Sequence, residues 1–334
     1  MSTARSGPAA VGSRWLPFAA AKWFRTVHFL EDQNTMTDKL ARGIWPALVT
    51  PFTDDGSALA PARVEPLVKH LIDAGSNGFF VCGGTGEGSA MSVPERKAMT
   101  EATIAAVAGA VPLIFQVGAT STANAVELAQ HAAAAGADAV ASVAPIDQPN
   151  DLQAAVAHYA TIGAATDLPF YVYWLAHTAA KNVTAEQFLE AMEVVPNFSG
   201  LKFTDSNFYF FQRLVQLGGD CLNLISGPDE ICLGGMVAGS DAAIGSTYNI
   251  MPKLFVEMRQ HFETSDIQPA MALQARANEV ISTLFHFDLL AAVKEMLTMR
   301  GLPVGPARPP HIPFDDAGRA ALCQALDDLG FAVE

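Results

Sequence analysis

The chain has 334 residues, of which 50% are hydrophobic and 16% are charged. This composition is more apolar than that of an average soluble domain, as expected when much of the chain is buried. The formal net charge of −14 argues against a nucleic-acid-binding protein, which would present a basic surface, but it allows an anionic small-molecule substrate. No apolar run is long enough to cross a bilayer, so the sequence predicts no membrane partner.

Cysteine and histidine spacing gives no sign of a metal centre. The four cysteines form no C-x-x-C motif, and the eight histidines form neither an H-x-x-x-H motif nor a histidine–aspartate cluster. We therefore expect reduced thiols, a cytoplasmic protein, and neither a metal nor another cofactor.

The first 38 residues differ in composition from the rest. They carry four basic residues and no acidic residue before Glu31, as transit peptides do. The alternative is a reading frame extended upstream, because Met36 opens a plausible natural start, MTDKLARGIWPALVTPF. We treat residues 1–38 as an N-terminal extension, either disordered or not translated, and leave it out of the fold prediction.

Eight short apolar runs recur along the chain from Ile44 onward, and each is continuous rather than alternating in character. Such runs are typical of parallel strands that are covered on both faces. The predicted strands are residues 44–50, 78–82, 113–118, 139–144, 170–174, 200–203, 222–226 and 242–246.

Helical segments separate these strands, and one of them has a clear start signal. Ser92 and Glu95 have the spacing of a capping box, with Pro94 in the first turn. We therefore expect a helix to begin just after Ser92.

The joints between helices and strands also repeat. The segments AGSNG, AGADA and AGSDA each end a helix with glycine and lead into a strand, which indicates a repeated βα unit. We predict an α/β fold, a (β/α)8 TIM barrel over residues 39–250 with a C-terminal helical domain over residues 251–334. A doubly wound open sheet is the competing fold.

The segment FFVCGGTGEGSA places four glycines between positions 83 and 88, directly after a predicted strand. Glycines there allow backbone N–H groups to approach an anion closely. The loop fits neither a P-loop nor a dinucleotide fingerprint, because Ser89 stands where the third small residue belongs. Two interpretations stay open: a turn that only permits tight packing, or a carboxylate cradle that includes the Thr85 hydroxyl.

Polar residues stand at the ends of most other predicted strands. They are Asp147 after the fourth strand, Tyr173 on the fifth, Lys202 on the sixth, Asp229 and Glu230 after the seventh, and Ser246 on the eighth. Each has an ordinary local explanation, such as a strand-end lysine that reaches solvent or an acidic helix cap. In a barrel, however, all of them would meet at the carboxyl-terminal rim, where active sites lie.

A lysine inside a barrel is costly to keep charged, so burial should lower the pKa of Lys202. A neutral amine attacks ketones, and the iminium that it forms accepts electrons when a nearby carbon–carbon bond breaks. Such chemistry needs a proton shuttle, for which Tyr173 is a candidate. The glycine loop would anchor the carboxylate of a 2-oxo acid.

Six segments of the chain belong together as a set: GIWPALVTPF, GGTGEG, LPFYVYW, GLKFTD, PDEICLGGMVAGSDAAIGSTYNIMP and GLPVGPARPP. In this order they resemble the N-acetylneuraminate lyase/dihydrodipicolinate synthase superfamily, from about residue 40 to the C-terminus. GLKFTD, DE and GSTYN are most similar to the N-acetylneuraminate lyase branch. The resemblance implies a (β/α)8 barrel with a helical C-terminal domain, a homotetramer, and pyruvate-type Schiff-base chemistry without a metal.

The resemblance also implies roles for individual residues. Lys202 matches the imine-forming lysine, and Tyr173 matches the catalytic phenol. Gly84 and Thr85 match the site of the pyruvate carboxylate. The positions that bind the sugar part of the substrate are matched by Thr204, Gly227, Asp229, Glu230 and Ser246.

Several positions depart from the family pattern. Gly84 replaces the first of two hydroxyl residues, and Asp147 replaces a tyrosine that a neighbouring subunit normally contributes. Both changes remove hydroxyls that would relay protons to Tyr173, and Asp147 could act as a different acid or base. Trp174 begins Trp-Leu-Ala where Asn-Ile-Pro is usual. Thr178 falls near the arginine that dihydrodipicolinate synthase uses for a second carboxylate, which argues against that activity.

The leading hypothesis is a Schiff-base lyase that cleaves or forms a 2-oxo acid, as N-acetylneuraminate lyases do, with pyruvate as one partner. The GGTGE form of the loop is also found in 5-dehydro-4-deoxyglucarate dehydratases, so a dehydratase of a 2-keto-3-deoxy sugar acid is the alternative. A third hypothesis is a non-catalytic ligand-binding barrel, against which the presence of both Lys202 and Tyr173 argues.

Overall fold

The computed structural model describes residues 39–145 and 147–332, and parallel strands form its centre. The predicted N-terminal extension lies outside the described residues. The strands are β1 Gly43–Pro46, β2 Phe79–Val81, β3 Leu113–Gln116, β4 Ala139–Val143, β5 Phe170–Leu175, β6 Phe198–Thr204, β7 Asn223–Ser226 and β8 Ala242–Gly245.

The strands form one sheet in the order β1-β8-β7-β6-β5-β4-β3-β2, and every neighbouring pair is parallel. A parallel bridge between Ala47 and Phe80, with a 3.0 Å hydrogen bond from Leu48 N to Phe80 O, brings the two ends of the sheet together. The sheet therefore curls into a nearly closed barrel, and the predicted (β/α)8 architecture is confirmed. The open-sheet alternative is wrong.

Helices follow the strands along the chain, as the repeated joints predicted. Those that follow β1 to β8 in turn are α1 Val64–Asp73, α2 Val93–Val107, α3 Thr122–Ala135, α4 Leu152–Gly163, α5 Ala185–Met192, α6 Phe208–Gly218, α7 Cys232–Val237 and α8 Pro252–Glu263. Three more come after them: α9 Ile267–Leu284, α10 Leu289–Met299 and α11 Asp316–Asp328. None of the helices within the described ranges is long and apolar enough to cross a membrane.

The start of α2 shows how local sequence positions an element near the glycine loop. The Ser92 hydroxyl accepts from Glu95 N, and the Glu95 carboxylate accepts in return from Ser92 N at 2.9 Å. The predicted capping box is thus present, and it fixes where the loop ends and the helix begins.

Side chains on the strands alternate between the inside of the barrel and the layer of helices around it. On β6, Leu201 and Phe203 are fully buried in the outer core, while Lys202 points inward against Phe80 and Tyr173. The continuous apolar runs seen in the sequence reflect these two buried faces.

Large rings fill the amino-terminal end of the barrel. A Cβ atom on Gly78 would lie 2.5 Å from the Trp45 ring, and one on Gly200 would lie 2.6 Å from the Tyr171 ring. The Tyr171 hydroxyl donates to Asn223 Oδ1 at 2.9 Å, so its polar end is satisfied. These glycines make room for the rings that fill this end of the barrel.

Replacing Gly200 by alanine should disturb the packing of these rings. The added Cβ would lie 2.2 Å from the Asn223 carbonyl oxygen as well as against Tyr171, and backbone atoms cannot move aside cheaply. We expect Gly200→Ala to lower the free energy of unfolding by about 1–3 kcal/mol, measured by urea denaturation. Gly234→Ala, on α7, is the matched control because its Cβ would meet only Ile231 at 3.7 Å; equal stability of the two variants would contradict the prediction.

Candidate active site

Lys202 lies at the centre of the barrel and is 4% exposed. The sheet register places it beside Tyr173 on β5 and Ile225 on β7. Its Nζ atom is 4.1 Å from the centroid of the Phe80 ring and 4.2 Å from that of the Tyr173 ring. Burial lowers the pKa of Lys202 to about 7, although the nearby Asp229 carboxylate opposes the shift. A substantial fraction of this amine is therefore neutral at physiological pH.

Tyr173 is the other predicted catalytic residue, and it is 7% exposed. Burial raises the pKa of its phenol to about 12, so the phenol is protonated at neutral pH. The nearby Thr204 hydroxyl counteracts this pKa shift, but it is buried without a hydrogen-bond partner of good geometry in the described part of the chain. Gly227 packs on the same hydroxyl, since a Cβ there would lie 2.0 Å from Thr204 Oγ1.

Asp229 supplies the negative charge next to Lys202. Burial raises the pKa of its carboxyl group to about 6, while hydrogen bonds from Thr247 and the charge of Lys202 oppose the shift. Both Thr247 N and Thr247 Oγ1 donate to Asp229 Oδ2 at 2.7 Å. The other oxygen, Oδ1, faces Gly245, where a Cβ would lie only 2.2 Å away. The Asp229 carboxylate is thus held in position by Gly245 at the end of β8 and by Thr247 just after it.

The glycine loop brings two predicted subsites together. Thr85 Oγ1 lies 2.6 Å from Ser246 Oγ, so the predicted carboxylate site and the predicted sugar site adjoin. The amide N–H groups of Gly84 and Thr85 bond to no described residue and are available to an anion. Cβ atoms on Gly86 and Gly88 would lie 2.9 and 2.0 Å from backbone oxygens, whereas one on Gly84 would meet nothing within 4 Å. Tight packing therefore explains the other glycines of the loop but not Gly84.

A buried ion pair holds this loop in place. Glu87 has a left-handed backbone, with φ of 53°, and its carboxylate accepts from Lys294 Nζ on α10 at 2.8 Å. Both side chains are 1% exposed. Lys294 also donates to the carbonyl oxygens of Thr50 and Pro306, and Arg308 N donates to the second oxygen of Glu87 at 2.6 Å. The loop is thus attached to the C-terminal part of the chain.

Helix α9 supports the other acidic residues of the site. Gln274 Nε2 donates to the Asp229 carbonyl oxygen at 3.1 Å, and Asn278 Nδ2 donates to that of Glu230 at 3.0 Å. These bonds fix the turn that carries both carboxylates.

Asp147 and Trp174 lie apart from the Lys202, Tyr173 and Asp229 side chains of the same chain. Asp147 is exposed in the segment between β4 and α4, where its charge acts on His158. Trp174 points away from the barrel interior: its ring stacks on Phe210 with centroids 4.7 Å apart, and its Nε1 donates to Asp205 at 3.1 Å. Trp174, the first residue of the unusual Trp-Leu-Ala sequence, therefore packs outside the barrel. The acid–base role of Asp147 stays a prediction.

The structure thus gathers Lys202, Tyr173 and Asp229 in the barrel, with the Thr85–Ser246 contact beside them. Sequence reasoning missed the supporting residues Glu87, Thr247, Gln274, Asn278 and Lys294. The lysine within the mostly apolar stretch LLAAVKEML was a signal for Lys294. Its partner, Glu87, lies 207 positions away in the sequence. Among the described residues, no group of three or more histidine, cysteine or acidic side chains is placed to hold a metal.

The sequence and the structure of this chain are both similar to those of known proteins. The model of the dihydrodipicolinate synthetase family matches residues 40–329. The chain belongs to this family. An N-acetylneuraminate lyase from Rhizobium meliloti (strain 1021) is 35% identical over 285 residues, which cover 85% of this chain and 94% of the relative.

Two further members show the breadth of the family. The structure of Proteus mirabilis N-acetylneuraminate lyase superposes with a TM-score of 0.82 at 31% identity, over 87% of this chain and 99% of that one. A 4-hydroxy-tetrahydrodipicolinate synthase from Thermoanaerobacter sp. (strain X514) is 29% identical over 88% of this chain and 98% of the relative. The protein is therefore an enzyme of the lyase class within this family.

Breaking the buried ion pair should be costly. Lys294→Met would leave the Glu87 carboxylate buried without its cation, and we expect it to lower the free energy of unfolding by about 3–5 kcal/mol in urea denaturation. The double variant Glu87→Gln/Lys294→Met should recover part of this loss, because no unpaired charge is left. Lys69→Met removes a surface pair with Asp73 and should cost less than about 1 kcal/mol. A similarly small loss for Lys294→Met would contradict the buried-pair interpretation.

Proposed function

We propose that the protein cleaves or forms a 2-oxo acid through an imine on Lys202, with pyruvate as one partner and an aldehyde as the other. The observation that carries this proposal is the buried amine of Lys202, a substantial fraction of which is neutral at physiological pH, beside the Tyr173 phenol. A strand-end lysine that merely reached solvent would keep its charge and would not be a nucleophile at neutral pH.

In the cleavage direction, the neutral Lys202 amine attacks the ketone carbon of the 2-oxo acid, and water leaves as the imine forms. The protonated imine then accepts the electron pair of the bond between C3 and C4, while the C4 hydroxyl loses its proton and an aldehyde departs. The resulting enamine takes a proton at C3. Hydrolysis of the imine releases pyruvate and restores the amine.

Proton transfer in these steps is assigned to Tyr173. Because its pKa is about 12, the phenol starts the cycle protonated and can donate to the departing hydroxyl of the adduct before it acts as a base. Asp229, with a carboxyl pKa of about 6, is mostly ionised at neutral pH and stabilises the cationic imine.

The carboxylate of the 2-oxo acid would bind to the free N–H groups of Gly84 and Thr85 and to the Thr85 hydroxyl. The aldehyde part would then extend over Ser246 toward Thr204, Gly227, Asp229 and Glu230. These roles follow the family pattern and the contact between Thr85 and Ser246. A homotetramer, as the family resemblance implies, is part of the same proposal.

One observation favours a dehydratase of a 2-keto-3-deoxy sugar acid as a second candidate. Position 84 has open space and no hydroxyl, and the same GGTGE form occurs in dehydratases of this superfamily. Both candidates use the imine on Lys202 and differ only in the group that leaves. Product analysis with sialic acid and with keto-deoxy sugar acids separates them, since only the aldol reaction releases pyruvate.

The imine itself can be trapped. Incubation with pyruvate and borohydride should attach a reduced three-carbon adduct to Lys202, detected by mass spectrometry of the digested protein. Because imine formation needs the neutral amine, the trapping rate should rise with pH through a midpoint of about 7. Lys202→Ala should form no adduct at this position.

Lys69, an exposed lysine on α1, provides the internal control in the same digest. Absence of an adduct on Lys202 would overturn the Schiff-base proposal. A trapping midpoint near the ordinary lysine value of about 10.4 would instead contradict the role given to burial.

Restoring the missing hydroxyl tests the proton relay. We expect Gly84→Ser to raise kcat for 2-oxo acid cleavage by about tenfold, because a relay to Tyr173 would be rebuilt in open space. Gly84→Ala fills the same space without a hydroxyl and is the matched control. If both variants gave the same kcat, the hydroxyl would have no part in proton transfer.

A further inference from the structure

A cavity of about 280 Å³ extends from the barrel rim to the first turn of α10. Gly84, Thr85 and Ser246 line it on the barrel side, and Leu290 lies in its apolar wall. Asp288 and His311 line it as well. The space is close to the lower end of the ~300–1,000 Å³ typical of ligand pockets, and it continues directly from the Thr85–Ser246 contact.

Asp288 and His311 form a hydrogen-bonded pair in this cavity, which the sequence did not indicate because 23 positions separate them. The His311 Nδ1 atom lies 3.0 and 2.9 Å from the two carboxylate oxygens of Asp288. Asp288 is itself held as the N-cap of α10, since its Oδ1 accepts from Ala291 N at 3.0 Å. The carboxylate is therefore fixed, and it fixes the imidazole ring.

The pairing leaves one atom of the ring for a ligand. Because Nδ1 is engaged by Asp288, the hydrogen-bonding capacity of the ring rests on Nε2, which bonds to no residue in the described ranges. His311 is one-third exposed, which leaves the ring accessible to a molecule in the cavity. A hydrogen-bonding group held in one orientation near apolar side chains, here Leu289, Leu290 and Val293, is typical of a specificity contact.

We propose that His311, oriented by Asp288, binds a hydroxyl group on the aldehyde-derived part of the substrate and so selects polyhydroxylated aldehydes. This inference rests on the proposed function, because it places the substrate carboxylate at Gly84 and Thr85. The aldehyde part then runs over Ser246: its nearer hydroxyls face Thr204, Gly227, Asp229 and Glu230, as proposed above, and its far end enters the cavity, where His311 meets it.

Charge decides between a hydroxyl and a second acidic group as the partner of His311. The described lining of the cavity contains no lysine or arginine, and Asp288 adds a negative charge. A second carboxylate would face that charge with only the imidazole to offset it. A hydroxyl can donate to Nε2 or accept from it, whichever protonation state the ring has.

The test compares two aldehydes in condensation with pyruvate: a six-carbon aldose, which reaches the cavity, and glyceraldehyde, which is too short. His311→Phe keeps a planar ring without the nitrogen. We expect it to lower kcat/KM for the aldose by about 10-fold to 100-fold, mainly through KM, and for glyceraldehyde by less than about threefold. If turnover is slow, calorimetry can measure the binding of the aldose to the pyruvate-loaded enzyme. The unchanged protein and His311→Phe are then compared by their Kd values.

Two further variants separate recognition from stability. His311→Gln keeps a hydrogen-bonding side chain. Its kcat/KM for the aldose should therefore be closer to that of the unchanged protein than the value for His311→Phe is. Ile312→Ala, an exposed neighbour on the same segment, should leave both aldehydes unaffected. Equal losses for the two aldehydes in His311→Phe, or no loss for the aldose, would overturn the inference while leaving the function intact.

Pyruvate trapping on Lys202 in the same preparations identifies a failure of the proposed function itself. A His311→Phe protein that still traps pyruvate has an intact imine site, so any loss confined to the aldose belongs to the cavity. If the unchanged protein trapped no pyruvate, the proposed function would fall and this inference with it.

Discussion

Removal of water from the Lys202 amine is the constraint on which the rest of the site depends. Burial lowers the pKa of this amine from its usual value to about 7 against the opposing charge of Asp229, and the barrel buries the amine from two directions. Below the amine, rings that include Trp45 and Tyr171 fill the barrel, and beside it lie the rings of Phe80 and Tyr173. Asp229 limits the shift, so the amine is poised between its charged and neutral forms rather than locked in one.

The rim itself depends on the C-terminal helices. Lys294 on α10 neutralises Glu87 in the glycine loop, while α9 fixes the backbone of Asp229 and Glu230. The same α10 supplies the apolar wall of the cavity and, through Asp288, the orientation of His311. Binding of the carboxylate and recognition of the aldehyde part would therefore both depend on one helix outside the strands.

The barrel and the residues that face its interior could be predicted from the sequence, because continuous apolar runs and repeated glycine joints are local signals. Lys202 and Tyr173 followed from their places on neighbouring strands. The Glu87–Lys294 and Asp288–His311 pairs could not be predicted, since each joins distant positions through contacts that exist only in the folded chain. The direction in which Trp174 packs, on the outer face next to a catalytic position, could not be predicted for a similar reason.

The length of chain between Glu87 and Lys294 has a consequence for synthesis of the enzyme. Strands β1 to β8 and all of the residues proposed for imine chemistry emerge from the ribosome before α10 does. Before Lys294 has been synthesised, the Glu87 carboxylate in the loop lacks its counter-charge, and burying it is unfavourable. An unfinished chain that lacks α10 therefore contains the imine lysine without a completed carboxylate cradle, so the carboxylate of a 2-oxo acid finds its binding site only after α10 has been made.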